Sequence, residues 1–117
     1  MNRLFVEYPK CSTCRKAKKY LEEHQIPFED RHIVENNPTE EELKEWIARS
    51  GLPVKRFFNT SGKKYKDMEL KNKLPEMSEE EQIALLASDG MLVKRPIVVE
   101  DHRVLVGFKE AEWTFEN

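Results

Sequence analysis

The apolar positions of this chain follow two different periods. Leu4, Phe5 and Val6 form a short run that stops at Tyr8-Pro9, where a proline cannot extend a ladder, and it reads as a buried strand. From Ser12 the spacing becomes helical, with Ala17, Tyr20, Leu21 and His24 at i, i+3, i+4 and i+7 ahead of Pro27. Residues 28 to 34 then alternate, Phe28, Asp30 and His32 to one side and Glu29, Arg31 and Ile33 to the other, which predicts a second strand.

The middle of the chain carries helix signals only. Thr39-Glu40-Glu41-Glu42 is a capping box, Leu43, Trp46 and Ile47 put an apolar stripe on the helix after it, and Gly51 and Pro53 stop it. Between residues 52 and 77 the signals are short: a turn of helix over 54–58, a Ser61-Gly62 turn, then Leu70 and Leu74 before Pro75. Small helices are expected there. Ser78-Glu79-Glu80-Glu81 opens another capped helix, with Ile83, Leu86 and Ala87 as its buried face and an end near Gly90.

Arg95-Pro96 interrupts the chain before a third strand, Ile97-Val98-Val99. Glu100-Asp101-His102-Arg103 has the spacing of a four-residue hairpin loop leading to a fourth strand, Val104-Leu105-Val106, which Gly107 ends. Phe108, Ala111 and Phe115 predict a short closing helix. The order is βαβ, a helical stretch over about 39–90, then ββα. It describes an α/β, thioredoxin-like domain spanning 1–117, with a mixed four-stranded sheet and a helical insertion between its halves. In that arrangement the loop after strand one and the loop entering strand three meet at one edge, so Cys11 and Arg95-Pro96 are candidate neighbours. The proline at that edge is commonly cis.

Composition narrows the function. At 117 residues the chain fits one compact domain, and 36% charged against 38% hydrophobic residues is a globular balance. No apolar stretch approaches the roughly 20 residues of a membrane span, and the start lacks a signal-peptide apolar region, so a cytoplasmic protein with no membrane partner is expected. A net charge of −2 excludes the basic bias of direct nucleic-acid binders. Around the cysteines the balance is locally positive, from Lys10, Arg15, Lys16, Lys18 and Lys19.

The chemistry sits in Cys11-Ser12-Thr13-Cys14. A Cys-x-x-Cys at a helix start puts its first sulfur on the exposed turn, where free backbone N–H groups and the helix dipole stabilise a thiolate. Cys11 is therefore the candidate nucleophile, with Lys10 and Arg15 expected to add charge, and Ser12 and Thr13 completing the loop. Cys14 lies one turn inward, placed to resolve a mixed disulfide on Cys11. Two unrelated reduced cysteines would be ordinary in a cytosolic protein, but this spacing at a strand-to-helix junction favours redox chemistry. Zinc would need two further ligands, and His24, His32 and His102 have no paired spacing, so no metal is expected and no other cofactor is implied. Arg95 reads either as a solvated arginine at a strand start or, beside Pro96, as a fixed cation facing Cys11. Lys63, Lys64 and Lys66 read as a solvated loop, and Trp46 and Trp113 as packing residues.

With Tyr-Pro-Lys-Cys-Ser-Thr-Cys-Arg-Lys-Ala at one end and Lys-Arg-Pro-Ile-Val-Val at the other, the chain resembles the arsenate reductase and Spx family of thioredoxin-fold proteins over nearly its whole length. The resemblance implies a cysteine nucleophile at Cys11 and, in glutaredoxin-coupled arsenate reductases, three arginines around the oxyanion. Arg95 matches one of them. The second falls near Asn59, with Arg56 one turn away, and the third falls at Gly107, so weak or absent arsenate reduction is expected. A Cys-x-x-Cys pair is what Spx-type regulators carry as a redox switch, and these bind the C-terminal domain of the RNA polymerase alpha subunit; Gly51 sits near a glycine used for that contact. Against the regulator, Glu112-Trp113-Thr114-Phe115-Glu116-Asn117 does not read as the start of the extended basic tail that Spx has after its last helix, and no such tail is expected. Two functions follow: a thiol-disulfide oxidoreductase acting with a thiol or disulfide substrate, glutathione, glutaredoxin or thioredoxin among them, and a redox-switched transcription partner. The first is favoured, and a monomer is expected.

Overall fold

A computed structural model of the chain describes residues 3–115, so the first two and last two positions of the expected 1–117 domain lie outside the described residues. The sheet has the order β2-β1-β3-β4. Strand β1 (Arg3–Glu7) pairs in parallel with β2 (Glu29–His32) and antiparallel with β3 (Ile97–Glu100), which in turn pairs antiparallel with β4 (Val104–Val106). This is the mixed sheet of a thioredoxin-like fold.

Alternation along β1 assigns the two sheet faces. Phe5, with Val98 opposite it, packs under helix α1 (Ser12–Glu23) against Ala17 and Leu21, and Trp113 closes that cluster. Val6 and Ile97 turn to the other face, where α2 (Glu40–Ser50) and α5 (Glu79–Ser88) bring Leu43, Trp46, Ile83 and Leu86 onto the sheet. A slip of one residue in β1 would exchange the two sets of side chains, so burial on both faces fixes the register.

Both expected capping boxes form: Thr39 and Ser78 each accept from the backbone of the residue three positions on, and Glu42 and Glu81 bond back. Caps of this kind stabilise a helix by about 1 kcal/mol. Gly51 ends α2 in the left-handed region at φ 71°. Between α2 and α5 lie a 3-10 turn (Val54–Phe57), the short helices α3 (Lys63–Asp67) and α4 (Leu70–Lys73), and a second turn (Leu74–Glu76). Gly90, just past α5, has a different duty. A Cβ there would stand 2.0 Å from the Ile33 carbonyl oxygen, so only glycine lets the insertion close against the end of β2.

Two expectations are corrected. The hairpin between β3 and β4 is tighter than four free residues, because Glu100 stays in β3 and its N–H donates to the Arg103 carbonyl at 2.9 Å. The closing helix is a single 3-10 turn, Glu110–Glu112. Gly107 at φ 81° redirects the chain, and Phe108 and Trp113 then pack on each other and on Tyr20 as aromatic edges, 4.6–5.9 Å between centroids, instead of lining up as a helical stripe. Arg103 donates to the Thr114 carbonyl at 2.5 Å and pairs with buried Glu100, which also accepts from Arg3 at 2.7 Å. Among the described residues no helix is long and apolar enough to cross a membrane.

Candidate active site

Cys11 is the N-cap of α1, in extended backbone at φ −83° and ψ 124°, and no side chain caps the helix there. Its own N–H donates to the Tyr8 carbonyl at 2.9 Å, closing the turn that carries the chain from β1 into the helix. The sulfur therefore stands where the first-turn N–H groups point. Both cysteines are free thiols; Cys11 is half-buried and Cys14 fully buried.

The two thiols are pushed in opposite directions. Burial alone would raise Cys11, but the backbone N–H of Cys14, the Cys14 side chain, the Thr13 N–H and the charge of Arg95 outweigh it and hold the thiol below its ordinary value. Burial pushes Cys14 up to about 12, and hydrogen bonding and charge from Cys11, with charge from Glu7, add to that. The Tyr8 N–H, 3.5 Å from the Cys14 sulfur, acts the other way without reversing it.

Arg95 reaches this site from the other end of the sequence. The Arg95-Pro96 bond is cis, and the Arg95 Nη1 donates to the carbonyls of Met91 at 3.0 Å and Val93 at 3.2 Å. Cys11, Thr13 and Arg95 line one cleft of about 490 Å³. Arg56, Lys94 and Lys109 line it too, as do Asn59 and Gly107.

The charge expected from the motif's neighbours is redistributed. Arg15 turns away and donates its Nε to the Pro9 carbonyl at 2.9 Å, Lys10 is exposed, and Arg95 is the cation that acts on Cys11. Ser12 and Thr13 occupy the exposed first turn of α1. Lys63 and Lys64 pair with Asp67 and Asp89, while Trp46 and Trp113 are buried packing residues. Among the described residues no group of three or more His, Cys, Asp or Glu side chains could hold a metal ion.

Sequence reasoning passed over a second cluster. Glu7, at the end of β1 and 3% exposed, lies 3.7 Å from the Lys18 Nζ, which pairs with Asp30 at 2.8 Å. The signal was present: Arg3, Phe5 and Glu7 alternate toward α1, and Lys18 follows Cys14 by four residues. Lys94 and Lys109, single lysines far apart in the chain, offered no such signal.

Set beside known proteins, the chain matches the ArsC family over residues 6–115. It is 56% identical to the uncharacterized protein YusI of Bacillus subtilis over 97% of this chain and 96% of that one. It is 33% identical to the regulatory protein MgsR of the same organism, over 92% of this chain and 84% of that one. Among solved structures, a Bacteroides fragilis protein described provisionally as ArsC family related superposes with a TM-score of 0.94 at 64% identity, covering 97% of this chain and 95% of that one.

Proposed function

The chain belongs to the ArsC family, and from that footing we propose that it is a thiol-disulfide oxidoreductase with Cys11 as nucleophile, Cys14 as resolving thiol and Arg95 as the fixed cation beside them. The opposite displacement of the two thiols carries this reading: one is half-exposed and acidified, the other buried and held protonated. The Cys11 thiolate attacks one sulfur of a substrate disulfide, forming Cys11–S–S–R and releasing the other half as a thiolate. Cys14 then loses its proton and attacks the Cys11 sulfur. The second substrate half leaves as a thiol, the protein is left with a Cys11–Cys14 disulfide, and an external thiol such as glutathione, or a glutaredoxin- or thioredoxin-type dithiol, returns it to the reduced state. Lys10, Ser12, Thr13, Arg15 and Pro96 shape the loops that present Cys11.

On this reading arsenate is a poor substrate, since Asn59 and Gly107 stand where the resemblance places two oxyanion-binding arginines. Arg56, Lys94 and Lys109 give the cleft positive charge without that arrangement. Reduction of a glutathione-protein mixed disulfide coupled to a dithiol is the test; turnover lost in Cys11→Ser supports the proposal, and no turnover by the native protein rejects it.

The relationship to MgsR, a regulatory protein, supports a second reading in which the Cys11–Cys14 pair switches binding to the RNA polymerase alpha subunit. Retention of the alpha C-terminal domain by the oxidised protein, with release on reduction, would favour this reading over the first.

A further inference from the structure

In the resolving step the Cys14 thiol needs a base within the protein to take its proton. Cys14 has to lose it before attacking, yet the sulfur is fully buried and lies a helical turn inward from the half-buried Cys11. We propose that Glu7, held by Lys18 and Asp30 beneath helix α1, accepts the Cys14 proton during the resolving step and passes it to solvent through Asp30. The inference rests on the oxidoreductase reading.

Placement on the sheet argues for it. Glu7 points to the same side of β1 as Phe5, and that side is covered by the stripe of α1 that includes Cys14, Ala17 and Leu21. Lys18, one turn beyond Cys14 on that helix, lies 3.7 Å from Glu7 and 2.8 Å from Asp30. Cys14, whose thiol feels the Glu7 charge, and Lys18 face Glu7 from α1, and Asp30, hydrogen-bonded to it, faces it from β2. Glu22 acts on Lys18 and His32 acts on Asp30, one step further out. The carboxyl of Glu7 is almost wholly shielded, whereas Lys18 and Asp30 keep 38% and 39% of their side chains exposed, so the cluster runs from the buried thiol to water.

The chemistry of Glu7 suits the task. Burial, then a hydrogen bond and like charge from Asp30, push its carboxyl up to about 7, against the opposing pull of Lys18. A carboxylate of that basicity can take a proton near neutral pH and give it back, which an ordinary glutamate cannot do efficiently. As the Cys14 sulfur closes on Cys11, the Cys11–S–S–R bond breaks, the Cys11–Cys14 bond forms, the Cys14 proton moves to Glu7, and the departing thiolate takes a proton from water.

Ellman's reagent separates the two steps on the full chain, because each releases one thionitrobenzoate: first when Cys11 attacks, then when Cys14 resolves. For the native protein the second phase should rise with pH and level off above about 7. In Glu7→Gln the first phase should persist, while the second should slow about a hundredfold at pH 7 and keep climbing with pH. Two exposed-side variants guard against a folding defect in Glu7→Gln. Lys18→Met removes a group that lowers the Glu7 titration and should move the inflection up, whereas Asp30→Asn removes one that raises it and should move it down. A second phase with no inflection in the native protein, equal second phases in native protein and Glu7→Gln, or inflections unmoved by Lys18→Met and Asp30→Asn, would each overturn the role of Glu7 while leaving the oxidoreductase reading standing. Absence of the first phase would overturn both.

Discussion

The guanidinium of Arg95 lies over the ring of Tyr8, 5.2 Å from its centroid. Tyr8 also touches both cysteines through its backbone, accepting from the Cys11 N–H and donating toward the Cys14 sulfur. Ring contact and the two carbonyl bonds hold the cation beside the thiolate instead of leaving it to wander in solvent. Arg95→Ala should therefore raise the Cys11 titration and slow its alkylation at pH 7 several-fold, because less of the sulfur is thiolate once that cation is gone. An unchanged titration curve would remove Arg95 from the site.

Alkylation should separate the cysteines cleanly. Iodoacetamide near neutral pH should label Cys11 and spare Cys14, whose thiol is buried and held near 12. With glutathione disulfide, Cys14→Ser should stop as a covalent glutathione adduct that dithiothreitol clears, and Cys11→Ser should form none. Mass spectrometry reads both. Equal adducts on the two variants would mean that neither sulfur is the privileged nucleophile.

Oxyanions should bind the cleft better than they react there. Arg56, Lys94, Arg95 and Lys109 line it, so arsenate or phosphate in millimolar amounts should protect Cys11 from alkylation, with weaker protection after Lys94→Ala. Turnover with arsenate, glutathione and glutaredoxin should remain weak, since Asn59 and Gly107 offer no guanidinium fork. Rapid arsenate turnover would contradict this.

Glu42 serves two partners, accepting from the Nη1 and Nη2 of Arg31 at 2.6 and 2.8 Å and from the Thr39 N–H at 3.0 Å. These bonds, that from Arg31 foremost, hold its carboxyl down to about 2. A depressed carboxyl contributes stability that is present above its unfolded value, near 4.5, and is lost as pH falls toward 2. Glu42→Gln should cost about 1–2 kcal/mol at pH 7, after allowing for its partial exposure, and almost nothing at pH 2. Urea melts at the two pH values check it.

Glu7 has the opposite sign. Its carboxyl is raised from 4.5 to about 7, so the folded chain favours the neutral acid and loses stability as pH rises through that window. Glu7→Gln should match the native protein in stability at pH 4 and exceed it at pH 8 by roughly 1–3 kcal/mol. A variant less stable than the native protein at pH 8 would mean that the Lys18 contact outweighs the burial of charge.

The strands and long helices were legible because local signals agreed with tertiary demand: capping boxes at Thr39 and Ser78, a stop at Gly51, and uninterrupted apolar runs at residues 4–6 and 97–99. Cys11 and Arg95-Pro96 could be brought together because the strand order leaves little choice of edge. What could not be read depends on three dimensions alone. Lys94 and Lys109 look like any solvated lysine until the cleft gathers them, and Arg15, adjacent to the motif, spends its guanidinium on the Pro9 carbonyl. The closing segment misled through its apolar spacing, which serves aromatic packing against Tyr20.

Strand β2 stands at the border of the sheet, and its four residues, Glu29, Asp30, Arg31 and His32, all carry titratable side chains. Pro27 precedes it by two positions, Asp30 is committed to Lys18, and Arg31 is committed to Glu42. A foreign strand seeking to extend the sheet there would have to dock beside a short row of charges already fixed by neighbouring helices. Charged side chains with engaged partners make such a border resistant to templated aggregation. The ion pair that braces the cysteine helix from below, Lys18 with Asp30, and the one that ties β2 to α2, Arg31 with Glu42, thus also guard the sheet against adding a second chain at that side.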